Sequence, residues 1–355
     1  MWLEPREHVS VAVRLLAPVG AVVAALALCA VLIAWTGTGV VQAYGLLYQG
    51  ALGSQFALAE TLTRAAPLML TGLAVAVAFR AKLWNIGAEG QLYAGALIAV
   101  LLGSGPLELP AWALLPIVLI GGALAGSLLL VGPTVLKTRF GVDEVVTTLL
   151  LNFIVLLFVS MMLEGPLKDP MGMGWPQSAP VLPEAELPRL LERSRLHAGL
   201  VLALVAAVAL WIMNTRTTWG YEIKAVGANP AAAGFAGIPV NRVMLKVAVL
   251  SGGLAGLAGA AEIAGLRGYL TLDLSPGFGY SGIVVAMLAQ LHPLGVVAAS
   301  VFVAAVFVGA DAMSRTVAVP NYIAEVLVAV SLLCVLVSSF LVRYRIRRSP
   351  VNRRS

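Results

Sequence analysis

Uncharged apolar runs alternate with short polar breaks along most of this chain. Leu15 to Trp35 carries no charged side chain and is long enough, at about 1.5 Å per residue, to cross roughly 30 Å of hydrocarbon. The same pattern predicts helices at 15–36, 58–79, 85–103, 111–136, 143–164, 197–213, 243–266, 278–291, 294–312 and 321–342. The eighth is short for a straight span and ends at His292-Pro293, so a broken or re-entrant element is the alternative, and with it an eight-span count.

Two breaks are long. Gly165 to Leu196 holds six prolines and Trp175, and ELPRLLERSRL at 186–196 has the pattern of an amphipathic helix lying on a surface. Asn214 to Val243 is polar, basic at Arg216, Lys224 and Arg242, and punctuated by Gly and Pro. Composition agrees with a membrane protein: 60% hydrophobic, 11% charged, mean hydropathy +0.95. The net charge of +6 is topological. With the N-terminus inside, Arg6, Arg14, Arg80, Lys82, Lys137, Arg139, Arg216, Lys224, Arg242, Lys246 and the tail with Arg353 and Arg354 fall on the inner side. Fewer basic residues fall outside, so both termini are expected in the cytoplasm and no nucleic-acid partner is needed to explain the charge. The predicted organisation is a cytoplasmic N-terminus (1–14), an all-α membrane domain (15–342) and a basic cytoplasmic tail (343–355). Within the membrane domain, 165–196 is expected outside and 214–242 inside.

Chemistry is sparse. No GxxxxGK[ST] cradles a phosphate and no HExxH is present. The histidines His8, His197 and His292 stand in separate segments, and Cys29 and Cys334 read as small core residues, so no metal site is expected. LSGG at 250–253 matches an ATPase signature by letters. It opens an apolar helix, though, and Gly252, Gly256 and Gly259 form a small-residue face for close helix approach, as does GGALAGS at 121–127. Energy must then come from an ion gradient or a separate ATPase. Glu89, Glu144, Glu262, Asp311 and Glu325 are the ionisable candidates for the gradient alternative.

Three segments stand out. In LWNIGAEGQLYAGA (83–96), a helix starting near Asn85 would place Asn85, Glu89 and Tyr93 on one face, with Gln91 close by; it either lines a pathway or puts Glu89 at a helix N-terminus. In GVDEVVTTLLLN (141–152), Glu144, Thr148 and Asn152 form a polar stripe expected to face the bundle interior, either touching solute or bonding neighbouring helices. In the third, Asn229 caps and Pro230 opens a short helix that continues through Ala231, Ala232 and Ala233, with Gly234 and Gly237 letting the chain exit at Ile238. Its small face suits docking on a partner.

These motifs, in this order and followed by LSGGLAGLAGAAEIAG, resemble the permease subunit of bacterial ABC importers. They are most similar to the nucleoside-type branch of the ribose/branched-chain amino acid permease family, over roughly residues 60–340. The resemblance implies a type II-like importer permease in the inner membrane that forms no covalent bond itself. ATP and Mg would be held by a cytoplasmic ABC ATPase, and this chain binds no cofactor. Further implied partners are a second permease, homologous or identical, an external substrate-binding protein and the lipid bilayer. Asn229 to Ile238 would correspond to the helix that couples to the ATPase, although Ala231-Ala232-Ala233 replaces the Glu-Ala-Ala of the general importer loop. Asn85, Glu89, Gln91, Glu144, Thr148 and Asn152 are the candidates for the translocation pathway. Sugar or branched-chain amino acid import, and a gradient-driven carrier, are the alternatives.

Overall fold

The computed structural model describes residues 2–5, 11–35, 37–105, 107, 109–317 and 322–347; Arg6, Arg353 and Arg354, counted above on the inner side, lie outside them. Every predicted segment is helical: α1 (Val11–Trp35), α3 (Gln55–Arg80), α4 (Ala88–Gly103), α5 (Ala111–Phe140), α6 (Glu144–Glu164), α7 (Gly199–Arg216), α10 (Val240–Glu262), α11 (Phe278–Leu288), α12 (Pro293–Thr316) and α13 (Ile323–Arg343). Three helices were not predicted as spans: α2 (Val40–Leu52), α8 (Thr218–Ala228) and α9 (Pro230–Phe235).

Among the described residues, six helices are long and apolar enough to cross a membrane: α3, α5, α6, α7, α10 with its continuation to Arg267, and α12. Val23–Trp35 and Val40–Leu52, bent by 117°, pass together as a seventh, and Ala88–Gly103 and Phe278–Leu288 are shorter apolar helices. Length accounts for two of the ten predicted spans. At 16 and 11 residues, α4 and α11 reach only about 24 Å and about 17 Å.

The chain divides into two compact units, 1–53 with 305–355 and 54–304. In the first, α1 packs along α13, and α2 approaches α12 so closely that a Cβ at Gly309 would stand 2.4 Å from the Leu47 carbonyl oxygen. Cys29 is buried and free. Flanking the all-α membrane domain expected at 15–342, Trp2–Pro5 pairs antiparallel with Tyr344–Arg347. Tyr344 and Ile346 alternate with Arg345 and Arg347, the two-residue period of a strand.

In the second unit α3 is the central helix, buried along nearly its whole length. Beside it α4, α5 and α10 meet backbone to backbone. A Cβ at Gly95 would lie 2.0 Å from the Gly256 carbonyl oxygen, at Gly256 2.2 Å from that of Gly122, and at Gly259 1.9 Å from that of Leu92. The small-residue faces read from 121–127 and 252–259 are therefore apposed, and their packing is the axis of this unit.

No helix forms at 186–196. Pro188 lacks a donor, Arg193 has φ +59°, and the chain instead pairs Arg189 with His197 in an isolated bridge. The 165–196 segment is stitched to the bundle by Ser178 N–H to Leu270 O (3.0 Å), Val181 N–H to Gly268 O (2.7 Å), Leu182 N–H to Gly103 O (2.8 Å) and Leu187 N–H to Ala264 O (2.7 Å). It caps one end of α4 and α10. His197 lies between Gly199 and Gly265, its Nδ1 accepting from Gly199 N–H at 3.1 Å, and burial lowers its pKa to about 4, which keeps the ring neutral.

Candidate functional site

The chain leaves α3 through Lys82, with φ +55°, and an irregular turn to Gly87, so α4 begins at Ala88 and Asn85 lies outside it. The expected helical face through Asn85, Glu89 and Tyr93 is thereby corrected. Its physical cause is an amide pair. Asn85 Nδ2 donates to Gln91 Oε1 and Gln91 Nε2 to Asn85 Oδ1, both at 2.9 Å, while Asn85 Oδ1 also accepts from Gly87 N–H at 3.0 Å. Asn85 Nδ2 further donates to Ser251 Oγ (3.0 Å), whose hydroxyl donates to Ala74 O (2.7 Å). A buried polar group without partners is costly, and these bonds hold the turn between α3 and α10.

The stripe on α6 faces inward as expected, with Glu144, Thr148 and Asn152 all buried. It clamps the same turn rung by rung. Trp84 N–H donates to Glu144 Oε1 (3.3 Å), Ile86 N–H to Thr148 Oγ1 (3.3 Å) and Gly90 N–H to Asn152 Oδ1 (2.8 Å). Asn152 Nδ2 donates to Ile86 O (2.9 Å) and to the Tyr280 hydroxyl (3.2 Å), and Glu144 also pairs with Lys137. Amides at a helix start have no intrahelical partner, and here side chains of a second helix supply acceptors.

Glu89 is buried and faces the start of α11. Its Oε2 accepts from Gly279 N–H at 2.6 Å. A Cβ at Gly279 would come 2.2 Å from Glu89 N, so glycine is required where the two starts meet. One carboxylate thus serves the positive ends of two short helices. Tyr93 anchors the approach to α11, donating to Leu272 O (2.6 Å) and accepting from Ser275 N–H (3.2 Å). Gly279, Ser275 and Tyr280 were missed from the sequence. The glycines of GFGYSG (277–282) at the head of a short apolar run, like those of NIGAEG, were the available signal.

Glu89→Gln keeps a neutral acceptor for Gly279 N–H, so the variant is expected to assemble with transport lowered severalfold. Glu89→Ala leaves that amide unpaired and should lose about 2–3 kcal/mol of stability. Thermal unfolding in detergent ranks wild type above Gln above Ala; unchanged transport in Glu89→Gln would leave Glu89 a packing role only.

The third segment is two helices. Thr217 Oγ1 caps α8, accepting from Gly220 N–H at 3.2 Å, and Gly227 seats α8 on the end of α3, where a Cβ would stand 2.0 Å from Arg80 O. Asn229 Oδ1 then caps α9, accepting from Ala231 N–H (3.0 Å) and Ala232 N–H (3.1 Å), with Pro230 in the first helical position. The exit is through left-handed Gly237, with Ile238 N–H donating to Ala233 O at 3.0 Å. Ala233 alone of α9 is buried; Ala231, Ala232 and Gly234 are exposed, and Phe235 is 98% exposed. Phe235 was not singled out from the sequence, since only the structure shows that Ala233 takes the inward position.

The family profile described as branched-chain amino acid transport system, permease component, matches residues 57–336. The chain is 37% identical to a glucose ABC transporter permease protein of Haloferax volcanii, over 98% of this chain and 93% of that one. It is 36% identical to a guanosine ABC transporter permease protein of Bacillus subtilis, over 93% and 95%. A second guanosine permease protein of that organism is 26% identical over 69% of this chain and 79% of its own length. No solved structure matches. The chain belongs to this family of ABC transporter permeases and is a multi-pass membrane protein, a transport component whose family pairs permeases with one another and with an ATPase.

Proposed function

We propose that this chain is a permease of an ATP-driven nucleoside importer in the plasma (inner) membrane, paired with a homologous second permease and served by an external binding protein. A separate cytoplasmic ATPase, carrying ATP and Mg, docks on α9. The observation that carries the coupling is the capped α9, which rests on Ala233 and presents Phe235 to solvent, beside an α8 seated on the end of the central helix. A closing ATPase pair that moves α9 would move α3 through the Gly227–Arg80 contact. The pairing of Trp2–Pro5 with Tyr344–Arg347 supports placing these two segments on one side of the membrane, which the basic residues make the cytoplasmic one.

In this reading Asn85, Gln91, Glu144, Thr148 and Asn152 border the path by fixing the start of α4, and Glu89 fixes α11 against it. Short helices with converging N-terminal ends are a recurrent frame for solute sites in transporters. Nucleoside import is favoured by the guanosine relative, and sugar import by the glucose relative. Uptake of labelled guanosine and glucose by the complete importer in proteoliposomes decides between them. ATP-dependent guanosine uptake that excess glucose leaves unchanged is expected; glucose uptake alone would transfer the function to sugars, and uptake that needs an ion gradient but no ATP would end the reading.

A further inference from the structure

A cavity of about 390 Å³ opens between the start of α3, the end of α10 and the 268–277 segment, within the range of about 300–1,000 Å³ typical of small-molecule sites. Regular α-helix stops at its wall: α10 passes into a π-helical turn, Ile263–Arg267, closed by Gly268 N–H to Ile263 O at 2.9 Å. Such turns are uncommon and frequent at functional sites. The His197 ring fixes this one, standing where a Cβ at Gly265 would come within 2.1 Å. The turn brings Leu266 and Arg267 to the cavity wall.

Three guanidiniums, Arg64, Arg195 and Arg267, and three carboxylates, Glu60, Glu262 and Asp273, line it. Arg195 is committed to Glu60 through Nε–Oε1 (2.9 Å) and Nη2–Oε2 (2.6 Å), and Arg267 donates to Asp273 O at 3.3 Å. Glu262 is different. It is 3% exposed and lines the cavity, and its carboxylate makes no hydrogen bond or ion pair among the described residues. A buried carboxylate needs donors. The cavity carries both donors and acceptors, which suits an uncharged solute with several hydroxyls: such a solute supplies donors to Glu262 and can accept from Arg267. Tyr269 adds a hydroxyl-bearing ring to the wall, and Leu274 and Phe278 an apolar face.

We propose that this cavity is a solute site within the permease itself, in which Glu262 accepts hydrogen bonds from the ring hydroxyls of an uncharged ribosyl or hexosyl solute. The proposal rests on the importer reading, whose orientation sets the cavity on the outer side. Phe278 directly precedes Gly279, the residue bonded to Glu89, so an occupied cavity would touch the start of α11.

The test is equilibrium binding of tritiated guanosine and labelled glucose to the permease–ATPase complex in nanodiscs without binding protein, with 2′,3′-dideoxyguanosine as competitor. Guanosine is expected to bind about tenfold or more tightly than the dideoxy analogue, and Glu262→Gln to weaken guanosine by about tenfold and shrink that discrimination below about threefold. Binding of glucose instead, with the same dependence on Glu262, assigns the site to sugar hydroxyls. Equal binding of guanosine and its dideoxy analogue to wild type, or full discrimination retained in Glu262→Gln, overturns the proposal. The comparison of the two nucleosides needs no variant, so a folding defect leaves it decisive. Uptake by the complete importer is measured in parallel. Uptake without binding to the complex lacking binding protein overturns the cavity alone, and no ATP-driven uptake of either solute overturns the importer reading together with it.

Discussion

Gly256→Val is expected to leave little folded permease. The residue lies where three helices meet: a Cβ there would stand 2.2 Å from the Gly122 carbonyl oxygen, and its own carbonyl oxygen is 2.0 Å from where a Cβ at Gly95 would be. The opposing atoms are backbone, which cannot rotate away as a side chain can. Accommodating a branched residue would force α5 or α4 outward along the whole contact, separating also Gly126 from Gly252 and Gly259 from Leu92. Overpacking in a core costs about 1–3 kcal/mol when side chains can shift; with backbone on both sides we expect more than about 4 kcal/mol. Gly132→Ala on α5 is the control, since nothing lies within 4 Å of its Cβ position and helix propensity favours alanine by up to about 1 kcal/mol. Size-exclusion profiles against temperature separate the two. A Gly256→Val protein that extracts and melts like wild type would show that α4, α5 and α10 do not meet through these glycines.

That contact was legible because glycine spacing in an apolar run has few other meanings, and the apposed faces at 121–127 and 252–259 could be named without knowing that they touch each other. Less was legible at the buried cluster. The segment 83–91 is visibly irregular, yet the i, i+4, i+8 spacing of Asn85, Glu89 and Tyr93 invited a helix that the reciprocal Asn85–Gln91 bond prevents. The polar stripe on α6 could be predicted to face inward, but its role as a set of acceptors for the 84–90 amides depends on where another segment's turn falls. Glu89 is the extreme case. Its partner Gly279 is 190 residues away, and only tertiary packing brings the starts of two short helices together. The 186–196 segment failed for a related reason: its amphipathic pattern is real, but Pro188 and a backbone already bonded to the bundle override it. And α2 was missed because Gln42, Tyr44, Gln49 and two glycines interrupt its apolar run.

The second large effect is expected at α9, and here the structure makes the experiment cleaner than the motif alone did. Gly234 is exposed, has ordinary negative φ, and the only atom within 4 Å of its Cβ position is Val240 Cγ2 at 3.8 Å. Gly234→Arg therefore disturbs nothing inside the chain, and replacing glycine within a helix favours folding by up to about 1 kcal/mol. On a docked partner it is a different matter, because a long cation would be forced between α9 and the surface that receives it. Uptake should be abolished and the ATPase should no longer copurify, while yield and melting temperature stay at wild-type values. Phe235→Ala approaches the same point from the other direction. An aromatic side chain 98% exposed in the free chain and buried in a docked complex would act as an anchor, and its removal should weaken ATPase binding by about 30-fold or more, corresponding to about 2 kcal/mol or more. The pair of variants separates steric exclusion from lost contact. Full uptake in Gly234→Arg would move the docking site away from α9. Loss of uptake in Gly234→Arg with unchanged ATPase affinity in Phe235→Ala would keep docking at α9 but place its anchor on the exposed backbone and methyl groups of Ala231 and Ala232.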